Sequence, residues 1–151
     1  MLFDFGFNTN GNFRFEKEFF KVAINILIVD DSGVMRSMII KTLRMTEVPL
    51  GNIHQAGNGQ EGLDVLGEQW IDLAIVDINM PVMNGEEMID RMQQEPEMKG
   101  IPVIVVSTEG SKARIERLEH KGAVFIHKPF SAEIVRDTIN GVLGLGENDE
   151  R

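Results

Sequence analysis

Five short apolar runs, each followed by a segment of helical period, constrain this chain more than any other feature. The runs are Ile26-Leu27-Ile28-Val29, Ile53-His54-Gln55-Ala56, Leu73-Ala74-Ile75-Val76, Pro102-Val103-Ile104-Val105-Val106 and Ala123 to Ile126. Strands that are apolar almost throughout lie in a parallel sheet with helices on both faces, because only then is each face covered. Between the runs, helix signals recur. Ser32 is placed as an N-cap ahead of Val34, Met38, Ile39 and Leu43, which are spaced as one stripe. Pro49 and Gly51 break the chain before the second run, and Asn58 with Glu61 opens a second helix through Leu63 and Leu66. A third helix carries Met88, Ile89 and Met92 and is closed by Pro96 and Gly100. The fourth is largely polar, anchored by Ile115 and Leu118. Ser131 opens the last, with Ile134, Val135, Thr138, Ile139 and Val142 along one face.

Five βα units joined by right-handed crossovers leave few topologies. The common one at this size is an α/β, flavodoxin-like (βα)5 three-layer sandwich, with a parallel five-stranded sheet of order 2-1-3-4-5.

At 151 residues, with 42% hydrophobic and 26% charged, the chain fits one globular domain. A formal charge of -9 repels phosphate polyanions, so no nucleic-acid partner is expected. Cysteine is absent, which excludes disulfides and thiolate metal sites and is compatible with a cytoplasmic location. The apolar runs are too short to insert in a membrane, and no secretory signal is visible. Three segments are expected: an extension over 1–22, the domain over 23–145 and an acidic tail over 146–151. The extension holds seven of the nine Phe residues. Its composition favours a poorly ordered leader, and the alternative is a hairpin with Phe7 opposite Phe13 and Phe5 opposite Phe15.

Ligands of a parallel α/β sheet bind beyond the carboxyl ends of its strands. Asp30, Asp31, Asp77, Ser107 and Lys128 each follow a predicted strand. Three carboxylates held together repel one another unless a cation shares the site. Mg2+, a hard ion with oxygen ligands, suits them. Lys128 suits a phosphoryl oxygen, Ser107 can donate to another, and Asp77 on the central strand can act as a carboxylate nucleophile towards phosphorus. Taken singly these residues have duller uses: aspartates as turn and helix caps, a lysine at the surface. His54, His120 and His127 have no metal-site spacing, the methionines read as core filler, and Gly57-Asn58-Gly59 reads as a turn.

Residues 24 to 143 resemble a bacterial receiver domain, close to the CheY-like single-domain chemotaxis response regulators. The resemblance is carried by Ile28-Val29-Asp30-Asp31-Ser32, Val76-Asp77-Ile78-Asn79-Met80-Pro81-Val82-Met83-Asn84-Gly85, Val105-Val106-Ser107 and Lys128-Pro129-Phe130. It implies a phosphoacceptor at Asp77 in a two-component system. It also implies that Asp31 and Asp77 ligate Mg2+ directly, Asp30 mostly through water, and Asn79 through its backbone carbonyl. A cis Lys128-Pro129 bond is expected as well. Switching in such proteins couples Ser107 to an aromatic residue, here Phe125, which lacks the phenolic hydroxyl of many relatives. Read from the sequence alone, Phe125 is as readily a plain core residue. Asn79 and Glu109 are read as flanking the path of an attacking water, and resemblance to the chemotaxis subgroup, where such a polar pair accompanies rapid self-dephosphorylation, implies a short-lived phosphoryl state.

The implied partners are a histidine kinase as phosphodonor and a target protein, such as a flagellar-motor switch protein or a phosphotransfer domain. The target would meet a face formed by the fourth helix, the fifth strand and the fifth helix, roughly residues 111 to 143. A monomer that switches, and is not an enzyme turning over a separate substrate, is the expectation. One rival is an Mg2+-dependent phosphatase of the haloacid-dehalogenase kind. The adjacent Asp30-Asp31 pair lacks its Asp-x-Asp spacing, and no insertion could form its cap. Another is a receiver that binds partners without phosphorylation.

Overall fold

The computed structural model describes residues 5–7, 13–15 and 22–145. Near the N-terminus, β1 (Phe5–Phe7) and β2 (Phe13–Phe15) pair antiparallel, Phe5 with Phe15 and Phe7 with Phe13. Of the extension expected over 1–22, residues 1–4, 8–12 and 16–21 lie outside the described residues, as does the acidic tail over 146–151.

The remainder alternates strand and helix: β3 (Ile24–Val29), α1 (Gly33–Arg44), β4 (Leu50–Ala56), α2 (Gly59–Glu68), β5 (Leu73–Val76) and α3 (Gly85–Gln93). There follow β6 (Val103–Ser107), α4 (Lys112–His120), β7 (Val124–His127) and α5 (Ala132–Leu143). The five strands from β3 onward form one parallel sheet in the order β4-β3-β5-β6-β7. Counted from β3 this is 2-1-3-4-5, the flavodoxin-like order that the sequence predicts.

Side chains alternate across the sheet, so β3 feeds two cores. Leu27 and Val29 point to one, built with Leu66 of α2, Met88, Ile89 and Met92 of α3 and Leu118 of α4. Ile26 and Ile28 point to the other, with Ile39 and Leu43 of α1 and Val135 and Ile139 of α5. Side chains of Ser32, Asn58, Asn84, Ser111 and Ser131 cap the five helices in turn. Each accepts from a backbone N–H that the first helical turn leaves unpaired.

Three expectations need correction. On α1, Val34 and Met38 are exposed at 77% and 50%, and only Ile39 and Leu43 of the expected stripe are buried. On α5, Ile134 is likewise exposed. A helix lying on a sheet buries a stripe narrower than the apolar set its sequence offers, so the outer members are left to solvent. Gly51 was expected to break the chain but lies inside β4, at a register shift opposite Asn25. A Cβ there would collide with Asn25 Oδ1, which accepts from Asn52 N at 2.8 Å. The glycine serves close approach between strands, not a turn.

Among the described residues, no helix is long and apolar enough to cross a membrane.

Candidate functional site

The sheet's hydrogen bonding continues one residue past the strand ends, and this aligns the predicted site residues. Asp30 N donates to Ala56 O at 3.1 Å, Asp77 N to Val29 O at 2.9 Å and Lys128 N to Ser107 O at 3.0 Å. The backbones of Asp30, Asp77, Ser107 and Lys128 are thereby fixed along one edge. Asp30, Asp31 and Asp77 each bring a carboxylate oxygen within 4.8 Å of the other two. Lys128 Nζ stands 3.4 Å from Asp30 Oδ2 and 3.8 Å from Asp77 Oδ1. The Lys128-Pro129 bond is cis.

Burial grades the three acids. Asp30 is buried, Asp77 half-buried and Asp31 exposed. Asp30 Oδ1 accepts from Ser32 N at 2.9 Å, and Arg36 from α1 donates to the Asp30 carbonyl. Asp77 Oδ1 accepts from Ile78 N at 2.8 Å. Burial raises the Asp77 carboxyl above its usual range, and Asp30 and Asp31 push the same way. The Lys128 ammonium and the Ile78 N–H oppose them without cancelling the rise. Three crowded hard-oxygen donors with excess negative charge form a donor set that a divalent cation fits.

α3 fixes the acceptor loop from below. Gly85 N donates to Ile78 O at 2.8 Å, and a Cβ at Gly85 would collide with the Asp77 carbonyl oxygen. Only the absence of a side chain permits that approach.

Ser107 is buried, and its Oγ accepts from Glu109 N at 3.1 Å. Phe125 is half-buried against the α3-side core, edge-on to His127 with ring centroids 4.7 Å apart. Asn79 and Glu109 come together through a residue the sequence did not single out. Arg114 of α4 donates from Nη1 to Glu109 Oε1 at 3.2 Å and to Asn79 Oδ1 at 3.4 Å. Glu86 of α3 was also missed. It accepts from Arg117 and Lys121, and these contacts hold its carboxyl down at about 2. No short motif marks either residue. The one available signal was a run of cations, Arg114, Arg117 and Lys121, recurring at helical spacing on α4.

Residues 26–140 match the family model for the response regulator receiver domain. A chemotaxis protein CheY homolog of Campylobacter jejuni is 34% identical over 128 residues, covering 83% of this chain and 97% of that protein. The solved structure of the chemotaxis response regulator CheY4 of Vibrio cholerae superposes with a TM-score of 0.71 at 30% identity. It covers 81% of this chain and 100% of that one. A phosphorylated cyanobacterial phytochrome response regulator, RcpA, shares the fold with a TM-score of 0.72 at 22% identity, covering 83% and 98%. The chain belongs to the response regulator receiver domain family. Within that family it is CheY-like, and its fold and sequence are consistent with two-component signalling.

Proposed function

We propose that this chain is a phosphorylation-dependent switch in which Asp77 accepts a phosphoryl group from a phosphohistidine of a partner histidine kinase. The observation that carries this reading is the Lys128 ammonium 3.8 Å from Asp77 Oδ1, at the edge where Asp30 and Asp31 also converge. An Asp77 oxygen attacks phosphorus, the phosphorus–nitrogen bond breaks, and its electron pair returns to the donor imidazole. Lys128 is placed to pair with a phosphoryl oxygen, and the Ser107 hydroxyl to donate to another. The chain needs no general base, because the acceptor reacts as its carboxylate.

Asp31 and Asp77 would hold Mg2+ with the Asn79 carbonyl. Asp30 takes an outer role, since Ser32 N and Lys128 Nζ already engage its two oxygens. When bound, the ion neutralises the clustered carboxylates and the charge of the arriving phosphoryl oxygens.

Output follows from what Ser107 and α4 can do. A hydroxyl drawn towards a phosphoryl group gives up its contact with Glu109 N, and Phe125 is the ring available to follow it. α4 has Leu118 as its buried anchor, so it is the helix most easily displaced. The surface of α4, β7 and α5 is therefore where a target protein would read the state. The CheY names of the relatives favour a chemotaxis target, such as a flagellar-motor switch protein, over a phosphotransfer domain. The chain transfers and loses its own phosphoryl group and turns over no separate substrate.

The test is to mix the protein with Mg2+ and acetyl phosphate, or a beryllofluoride mimic, and follow intact mass and Phe125 chemical shifts. The wild type gains one phosphoryl mass and shifts the ring signals, and Asp77→Asn does neither. An adduct that survives in Asp77→Asn rejects the reading. Sustained release of phosphate from assorted phosphate esters would favour the phosphatase instead.

A further inference from the structure

Arg114 stands between the site and the surface proposed for output. It lies in the first turn of α4, yet its guanidinium turns back over the acceptor edge. Nη1 donates both to Glu109 Oε1 at 3.2 Å and to Asn79 Oδ1 at 3.4 Å. On its other side, Nε lies 3.9 Å from Glu86 Oε1 of α3, too far for a hydrogen bond. Among the described residues, Arg114 Nε is buried with no hydrogen-bond partner. An unpaired buried donor is costly, so its guanidinium is held in this pose by the Nη1 contacts and the surrounding charges. Glu109 is further fixed at both ends. Its backbone N–H donates to Ser107 Oγ at 3.1 Å, and its Oε2 accepts from Ser111 N at 3.0 Å.

We infer that Arg114 is a positioning residue that prolongs the phosphoryl state of Asp77 by occupying the side-chain oxygens of Asn79 and Glu109. The inference rests on the reading of Asp77 as phosphoacceptor. Loss of the group is a hydrolysis. A water oxygen bonds to phosphorus, the bond from phosphorus to the Asp77 oxygen breaks, and the water's hydrogens leave on inorganic phosphate. The receiver-domain resemblance implies that Asn79 and Glu109 flank that water's approach; side-chain oxygens left free there would accept hydrogen bonds from it and hold it in line. With Arg114 in place, Asn79 Oδ1 and Glu109 Oε1 are already engaged, and the Glu109 charge is neutralised. Arg114 belongs to α4, so any displacement of that helix also withdraws the guanidinium. The lifetime of the phosphoryl group is thus tied to the position of the helix that a target would touch.

The experiment loads the full chain with acetyl phosphate and Mg2+, removes the donor and follows decay of the phosphorylated mass. It compares wild type, Arg114→Ala, Arg114→Lys, and the paired Asn79→Ala and Glu109→Ala variant with and without Arg114→Ala. Arg114→Ala decays about two- to tenfold faster, the range one net hydrogen bond corresponds to. Arg114→Lys, which keeps the charge and one donor, falls between. In the background lacking Asn79 and Glu109 side chains, removing Arg114 changes nothing. Glu109→Gln, which removes the charge but keeps an oxygen able to accept from Ser111 N, weakens the same bridge and serves if Arg114→Ala does not fold. Unchanged decay in Arg114→Ala, or the same acceleration without Asn79 and Glu109, overturns the inference while leaving Asp77 as the acceptor. A wild type that takes no adduct at Asp77 overturns both.

Discussion

Glu86 on α3 grips Arg117 on α4 with both carboxylate oxygens, Nε lying 2.6 Å from Oε2 and Nη2 3.0 Å from Oε1. Lys121 at the end of α4 adds a contact of 3.0 Å to the same carboxylate and one of 2.8 Å to Asp90. Leu118 is the one buried residue of α4. This helix is fastened to its neighbour by charge more than by apolar contact, and charge can be adjusted by salt and pH in ways that a packed core cannot.

Glu86→Gln should therefore loosen α4 selectively. Amide exchange in residues 112–120 is expected to quicken by about two- to fivefold, with the β3 and β5 amides unchanged. Added salt should move the wild type towards the mutant. The pH dependence has a definite sign. The Glu86 carboxyl is held at about 2, below its ordinary 4.5, so its contribution is fully present above pH 4.5 and fades as pH falls towards 2. The difference between wild type and Glu86→Gln should shrink across that window.

Asp77 works the other way. Its carboxyl is raised in the folded chain, foremost by burial, so the ionised form subtracts from stability at neutral pH. Without divalent cation, Asp77→Asn should melt at a higher temperature than wild type, and the gap should close as pH falls through the raised value. Mg2+ should stabilise the wild type and leave Asp77→Asn nearly unmoved, as any ligand bound only by the folded state would. Thermal unfolding with and without Mg2+ measures both effects.

Lys128 lowers the Asp77 carboxyl against that burial. In Lys128→Met the midpoint of Asp77, followed by carboxyl-carbon NMR, should rise further above the wild-type position. Uptake of phosphoryl from acetyl phosphate should slow by about 10- to 100-fold, the worth of one charged hydrogen bond to the transferring group.

Val82 adopts φ 67° in the loop after the acceptor, and the residue is 82% exposed. A β-branched residue is strained in the left-handed region and here gains almost no packing in return. Val82→Gly or Val82→Asn should stabilise the domain by about 1 kcal/mol, read from the midpoint of urea unfolding.

Most of the fold was legible because burial on both faces writes itself into a strand as an unbroken apolar run, as in Leu73 to Val76. The site was legible for a related reason: each run stops at a residue carrying different chemistry, and a parallel sheet gathers such stops at one edge. Helix faces were harder to read. Val34, Met38 and Ile134 fit the helical period, yet the strip of α1 or α5 that touches the sheet is narrower than the period allows. Arg114 and Glu86 were not legible. Their partners lie 35 and 31 residues away, at Asn79 and Arg117, and the distances depend on how far long side chains reach across a helix pair. Neither hydropathy nor spacing encodes that reach.

The bare backbone at Gly85 also bears on how the domain can change shape. With its N–H bonded to Ile78 O and its Cα face pressed on the Asp77 carbonyl, Gly85 ties the start of α3 directly to the end of the acceptor strand. Under the proposed reading of Asp77 as phosphoacceptor, the segment from Ser107 to Ser111, which carries α4 on the opposite flank, is the one left to move.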